Sequence, residues 1–171
     1  MTVRKKVATE SLSKDRALSK ERVRLWLKIL KTHSAIEQQI RNSLRNEFDT
    51  TLPRFDVMSA LDRFPQGLRM TEISGLLKVS NGNVTGIVER LTQDGLALRI
   101  AVRNDRRVQR VKLTRKGKAA FKKMATAHEK WLDEILEQVS STELQSLNGL
   151  LDKVGSHLHN VDTTQRSHDA Q

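Results

Sequence analysis

Just after Gly95 the hydrophobic period of this chain changes, and that change limits the folds open to it. Leu96, Leu98 and Ile100 alternate, Arg103-Asn104-Asp105-Arg106-Arg107 supplies a polar tip, and Val111 and Leu113 alternate on the return. The pattern reads as one hairpin of two short strands. Elsewhere the apolar residues recur every three to four positions, the spacing of one helix face. One small hairpin inside a helical chain argues against sandwiches, barrels and layered α/β sheets. What remains is a mainly α fold with a small β-hairpin wing.

The helices can be placed around that hairpin. Residues 1–19 mix Lys, Ser, Thr and Glu without sustained periodicity and read as a flexible basic arm. From about residue 20, Leu25, Ile29, Ile36, Ile40, Leu44 and Phe48 follow one face, with a weak turn at His33, so one long helix is expected to about residue 50. Pro53 suits a helical first turn, which predicts a second helix over Pro53–Arg63. Pro65-Gln66-Gly67 is a turn. A short helix follows over Thr71–Leu77, with Thr71 as its cap, and then a helix from Asn81 to about Asp94, capped by Ser80 and closed by Gly95. Beyond the hairpin, Phe121, Met124, His128, Trp131, Ile135 and Val139 mark a long helix. Ser140 and Glu143 form a capping box for a last one, striped by Leu144, Leu147, Leu151, Val154 and Leu158. The tail after 161 is polar and reads as loose. A domain over 20–160 is expected, with a DNA-reading module at about 53–115 and long helices at about 20–50 and 115–160.

Charge separates the functional classes. The chain carries a formal +11, and residues 78–118 hold eleven Lys/Arg against three acids. Residues 1–28 hold nine against three, residues 29–77 balance at six each, and 119–171 is net negative. A cationic block inside a near-neutral remainder points to a polyanion. At and just before its start, Thr71–Leu77 and Asn81–Asp94 have the spacing of a helix-turn-helix, with small Ser74 and Gly75 available where the two helices touch. Ser80, Asn81, Asn83, Thr85 and Arg90 lie mostly away from the apolar stripe of Val84, Ile87, Val88 and Leu91. Asn can address adenine, Thr a thymine methyl, and Arg guanine or phosphate. The hairpin gathers Arg103, Arg106 and Arg107 at its tip and Arg99, Arg110 and Lys112 on its strands, a crowding that a phosphate backbone offsets. An arginine tip also suits a narrow minor groove, with Asp105 orienting one of the arginines.

The stretch Thr71-Glu72-Ile73-Ser74 through Val79-Ser80-Asn81-Gly82-Asn83-Val84-Thr85, then Leu91 and Gly95-Leu96, resembles the MarR family of regulators. Asp105-Arg106-Arg107, followed by Val111-Lys112-Leu113-Thr114 and Gly117, is similar to that family's wing motif. The resemblance covers roughly residues 21–160. It implies a winged helix-turn-helix, an obligate homodimer built by the first and last two long helices, and a cytoplasmic regulator of transcription, commonly a repressor, that binds a duplex DNA operator. It also implies that Arg107 enters the minor groove. Ser74-Gly75 departs from the family, which more often has alanine followed by a larger polar residue, and the glycine is expected to loosen that helix.

The resemblance further implies a small effector, often an aromatic acid, held between the long helices and the DNA-reading lobe. Leu52-Pro53-Arg54-Phe55-Asp56-Val57-Met58 looks like a subgroup tied to aromatic-acid, hydroxycinnamate-type catabolism, in which some members respond to the coenzyme A thioester. Arg54 is placed to pair with a carboxylate or phosphate, and Trp26, Phe55 and Met58 to line a ring. His33 is a further ligand candidate beside its ordinary reading as a half-buried core residue. Arg22, Arg24 and Lys28 are the candidate clamp for the phosphates of an acyl-coenzyme A.

Other classes fit less well. No Gly-rich phosphate loop or nucleophile elbow is present, so enzyme chemistry is not expected. His157 and His159 are two apart and face different ways on a helix, Asp133, Glu134 and Glu137 read as a solvated face, and no metal or other cofactor is expected. Cysteine is absent, which excludes disulfides and thiolate sites. There is no apolar stretch of about 18 residues for a membrane span and no apolar core of a signal peptide after the N-terminal charges. No aromatic residue falls within 78–118, so duplex fits better than single strands. A non-specific architectural duplex-binding protein without an effector is the alternative.

Overall fold

A computed structural model describes residues 2–102 and 105–168, and the side chains of 17–101 and 109–158. The order is α1 (Thr2–Phe48), α2 (Leu52–Arg63), α3 (Met70–Leu77), α4 (Asn81–Gln93), β1 (Ala97–Val102), β2 (Asp105–Leu113), α5 (Arg115–Ile135) and α6 (Ser141–His168). The chain divides into two compact units, residues 1–128 and 129–171. No described helix is long and apolar enough to cross a membrane.

Both terminal helices outrun the expectation. The segment expected as an arm is helical from Thr2, and α6 continues past 161 to His168. Neither glycine nor proline interrupts residues 1–48, and Ala, Leu, Lys, Arg and Glu are frequent there, so propensity favours helix where apolar periodicity is missing. Asp49, at a φ of 47°, ends α1, and Pro53 sits in the first turn of α2 as its fixed φ favours.

The first unit is built around α2. Phe55, Val57, Met58, Ala60 and Leu61 are buried, against Ile40 and Leu44 of α1, Ile73 of α3, and Val84, Val88 and Leu91 of α4. The α3 cap lies earlier than expected. Arg69 is the cap residue, and its backbone N–H donates to the Glu72 carboxylate at 2.7 Å, so the acid at the third helical position does what Thr71 was expected to do. Ser80 caps α4 as expected, its hydroxyl accepting from the Asn83 N–H at 3.4 Å. Gly75 is exposed and nothing surrounds the place of its missing Cβ, so it has no close-packing role.

The α4 helix ends in a paired left-handed closure. Gly95, at a φ of 70°, donates to the Thr92 carbonyl at 3.0 Å, and Leu96 donates to the Leu91 carbonyl at 2.8 Å. The hairpin then pairs Ala97 with Leu113 through Ala101 with Gln109, and its register shifts between Ala101 and Val102. Residues directly opposite share a face. Ala97, Val111 and Leu113 therefore form the buried face, while Leu98 and Ile100 lie half-buried on the other face with Lys112 and Arg110. Leu68 adds a two-bond bridge to Val111, tying the loop before α3 to the wing.

Thr114 joins these parts. Its hydroxyl donates to the Gly95 carbonyl at 2.7 Å and accepts from the Gly117 N–H at 2.9 Å, while its own N–H donates to the Leu96 carbonyl. A Cβ on Gly117 would stand 1.9 Å from that Leu96 oxygen.

The second unit holds the end of α5, a turn, and α6. Its capping box is formed as expected: the Ser140 N–H and hydroxyl both donate to the Glu143 carboxylate, at 2.9 and 2.6 Å. Those two hydrogen bonds, the hydroxyl's first, hold the fully exposed Glu143 carboxyl below its usual range.

Two glycine substitutions should separate fold from flexibility. Gly117→Ala drives a methyl into backbone that cannot step aside, and thermal denaturation should show a loss of about 3 kcal/mol. Gly75→Ala adds a methyl in open space on a helix and should gain about 0.5–1 kcal/mol.

Candidate nucleic-acid interface

The α4 helix separates its two sides cleanly. Val84, Val88 and Leu91 are fully buried, which turns Ser80, Asn81, Gly82, Asn83, Gly86 and Arg90 outward into solvent. Thr85 is half-buried, and its hydroxyl donates to the Asn81 carbonyl at 2.9 Å. That bond engages its hydroxyl hydrogen within the helix. The N-terminal turn thus offers two carboxamides, in a position where the helix's unpaired N–H groups favour an anion. Lys78, at a φ of 53°, makes the turn between α3 and α4, and its side chain is exposed.

The basic block divides between folding and solvent. Arg110 Nη1 donates to the Gly67 carbonyl at 2.8 Å, and its Nη2 lies 3.9 Å from Glu72, the acid that caps α3. Arg99 Nη2 is 3.8 Å from Glu89 on α4. Two strand arginines read from sequence as phosphate ligands therefore pair within the molecule and fix the wing against α3 and α4. Lys112 is half-buried on the face that it shares with Arg110. Arg103, and the side chains of Asp105, Arg106 and Arg107, lie outside the described residues.

The effector candidates are dispersed. Arg54 and Met58 line a hollow of about 380 Å³ beside the α1–α2 junction, walled by Phe48, Leu96 and Met124 and rimmed by Lys116 and Lys123. Phe55 is buried away from it, its ring 5.5 Å from Phe121 and stacked 4.9 Å from His128. Arg22, Trp26, Lys28 and His33 are exposed on α1, and Arg24 pairs with Glu21 on the same helix. At 1.5 Å per residue, Arg22 to Lys28 lie about 30–39 Å along α1 from Phe48, and His33 about 22 Å. The structure does not bring these residues to Arg54 within one chain. Among the described residues, no group of His and carboxylates is placed to hold a metal.

Sequence reading missed Asp94 and Lys116. Arg54 is ion-paired with Asp94, the C-cap of α4, and Lys116 Nζ donates to the Asp94 carbonyl at 2.8 Å. Forty positions separate Arg54 from Asp94, and no local pattern announces the pair.

A sequence model of the MarR family matches residues 48–108. The solved MarR family transcriptional regulator from Silicibacter pomeroyi is 34% identical, with a TM-score of 0.71 over 82% of this chain and 96% of that one. The chain belongs to the MarR family of transcriptional regulators. Among curated relatives, the Uncharacterized HTH-type transcriptional regulator YkoM of Bacillus subtilis (strain 168) is 31% identical over 72% of this chain and 79% of its own length. The HTH-type transcriptional regulator BilQ of Clostridium symbiosum (strain WAL-14163) is 30% identical over 52% of this chain. The Homoprotocatechuate degradative operon repressor of Escherichia coli is 34% identical over 42% of it. The chain spans only 62% and 48% of those two proteins. The fold is shared with mutant MarR C80S from E. coli complexed with operator DNA, at 24% identity and a TM-score of 0.69 over 78% of this chain and 95% of that one.

The internal pairing of Arg110 sets a measurable contrast within the MarR wing. Arg110→Ala strips a partner from the Gly67 carbonyl and from Glu72, and should lower stability by about 1 kcal/mol in denaturant unfolding. Lys112→Ala should leave stability within about 0.5 kcal/mol of the parent.

Proposed function

We propose that this MarR-family chain is a homodimeric, cytoplasmic repressor that binds a palindromic duplex operator and is released by a small aromatic acid. The observation that carries the DNA reading is α4 itself: Asn81, Asn83 and Arg90 are exposed along a helix whose opposite stripe is fully buried. In this reading Ser80, Asn81, Asn83, Thr85 and Arg90 address the major groove. The tip arginines Arg103, Arg106 and Arg107 address the minor groove and its phosphates, with Asp105 orienting one of them. Repression and an aromatic acid are supported by the name of the homoprotocatechuate operon repressor, and by a hollow combining an apolar wall with Arg54, Lys116 and Lys123. The distance of Arg22, Arg24 and Lys28 from that hollow favours a free acid over a thioester clamped within one chain.

Homodimerisation is supported by what one chain leaves uncovered. Leu25, Trp26, Leu27, Ile29 and Leu30 of α1 are exposed, as are Leu147, Leu151, Val154 and Leu158 of α6. The two α4 helices of the dimer would face half-sites one helical turn apart, roughly 34–36 Å. Light scattering at micromolar concentration should return twice the chain mass of 19.5 kDa, and a monomer would refute the assembly.

Gel shifts on the upstream DNA of its own gene test the reading. Arg107→Ala should weaken binding by about 1–3 kcal/mol with an unchanged melting temperature. Asn83→Ala should reduce the preference for operator over random duplex more than it reduces random-duplex affinity. Equal affinity of the parent for operator and random duplex would favour an architectural protein instead.

A further inference from the structure

Two hollows flank the α1–α2 junction, and Arg54 lines both. The first is the apolar hollow rimmed by Lys116 and Lys123; the second, of about 330 Å³, is bounded on α4 by Gly82, Asn83, Gly86 and Arg90. Arg54 reaches Asp94 through Nη2 alone, and its Nε is buried without a hydrogen-bond partner. Lys116 holds the carbonyl of the same Asp94 at 2.8 Å. The C-terminal end of α4 is therefore held by two cations that also line the first hollow.

We propose that an anionic effector in the first hollow takes Arg54 from Asp94, and that this exchange converts occupancy into a weaker grip of α4 on the operator. The inference rests on the effector reading above and adds its coupling step. A guanidinium presents Nε and Nη2 along one edge as a fork that matches a carboxylate. Asp94 uses one tine of that fork and leaves the other buried and unsatisfied, which is costly. A ligand carboxylate that engages both donors satisfies the idle one. Reaching Nε requires the guanidinium to turn out of its present seat, and that movement releases Asp94. The freed Asp94 carboxylate then sits at the negative end of the α4 dipole, beside the Lys116 that holds its backbone carbonyl. The closure through Gly95 and Leu96 starts from that residue, so its loosening is transmitted to the reading helix and the wing together.

The test uses the full-length dimer, homoprotocatechuate and 4-hydroxycinnamate as probes, and the neutral amide of the latter as control. Calorimetry should show Asp94→Asn binding both acids about two- to fivefold tighter than the parent, because the competitor for Arg54 is gone, with the amide unchanged. Arg54→Gln should lose about tenfold or more in acid affinity. Arg54→Lys keeps a cation for Asp94 but not the fork. Its acid-induced release, measured in fluorescence anisotropy relative to its own operator affinity, should be lost, a readout that does not depend on Asp94→Asn folding well. Acid binding to the parent that is unaltered in Asp94→Asn, or acid-induced release that survives in Arg54→Lys, overturns the exchange and leaves the effector reading standing. A parent that binds neither acid overturns the effector reading, and the exchange falls with it.

Discussion

The Leu96 carbonyl sits where α4, the wing and α5 meet, and the chain has almost no freedom there. It accepts the Thr114 N–H and lies too near residue 117 for any side chain at that position. Ala97 and Leu113, one residue from either end of this contact, are paired across the hairpin. The wing therefore leaves and re-enters the body at one backbone junction, and α5 begins at the same place. Side-chain packing can absorb a small displacement by changing rotamers, whereas backbone against backbone cannot. A shift at the start of α5 must move the end of α4 with it, and in the exchange proposed above this rigidity would carry a change at Asp94 onward.

The parts of this junction differ in how well sequence announces them. The Ser80 and Ser140 caps, Gly95 and the hairpin depend on residues within a few positions of one another, and local pattern is enough to read them. The strand faces were not legible in the same way. Leu98 and Ile100 alternate as an inward face should, yet register gives that role to Ala97, opposite Leu113. Ala97 is 2% exposed, and its burial at the wing root follows from register and tertiary packing that periodicity does not encode. The α3 cap was misplaced for a related reason: Thr71 is a good cap residue by type, but Glu72 also faces Arg110, and the helix starts where both contacts are made. Of the candidate site residues, the outward side of α4 followed from helical geometry. The Arg54–Asp94 pair could not, since nothing local joins positions forty apart.

Charge in the wing region has two roles that composition cannot separate. Arg99 and Arg110 are drawn to Glu89 and Glu72, and Lys116 to the end of α4. These contacts are partly exposed and individually worth little, about 0–1 kcal/mol for each ion pair. Their effect is geometric: they set the angle of a slim hairpin that, among its described side chains, buries Ala97, Val111 and Leu113. With those cations committed, Lys78 at the turn and Arg90 on α4 are left exposed beside the carboxamides of Asn81 and Asn83. The acids that look like errors in a polyanion-binding surface are what hold the surface in shape.

The middle of α1 poses the opposite problem. Leu25, Trp26, Leu27, Ile29 and Leu30 are each 40–57% exposed, although side chains of this kind gain about 1.5–3 kcal/mol on full burial. At 100° per residue they spread over roughly 200° of the helix, more than half its circumference. A single partner helix covers a narrower stripe, as in a two-stranded coiled coil, where two positions in seven suffice. Covering this segment takes neighbours on more than one side, which is the environment of a helix bundle. The apolar stripe of α6, at 147, 151, 154 and 158, is narrower and repeats every three to four residues, a width that one partner helix can cover. The homodimer proposed above would supply surfaces of the kind that each of these stripes leaves room for.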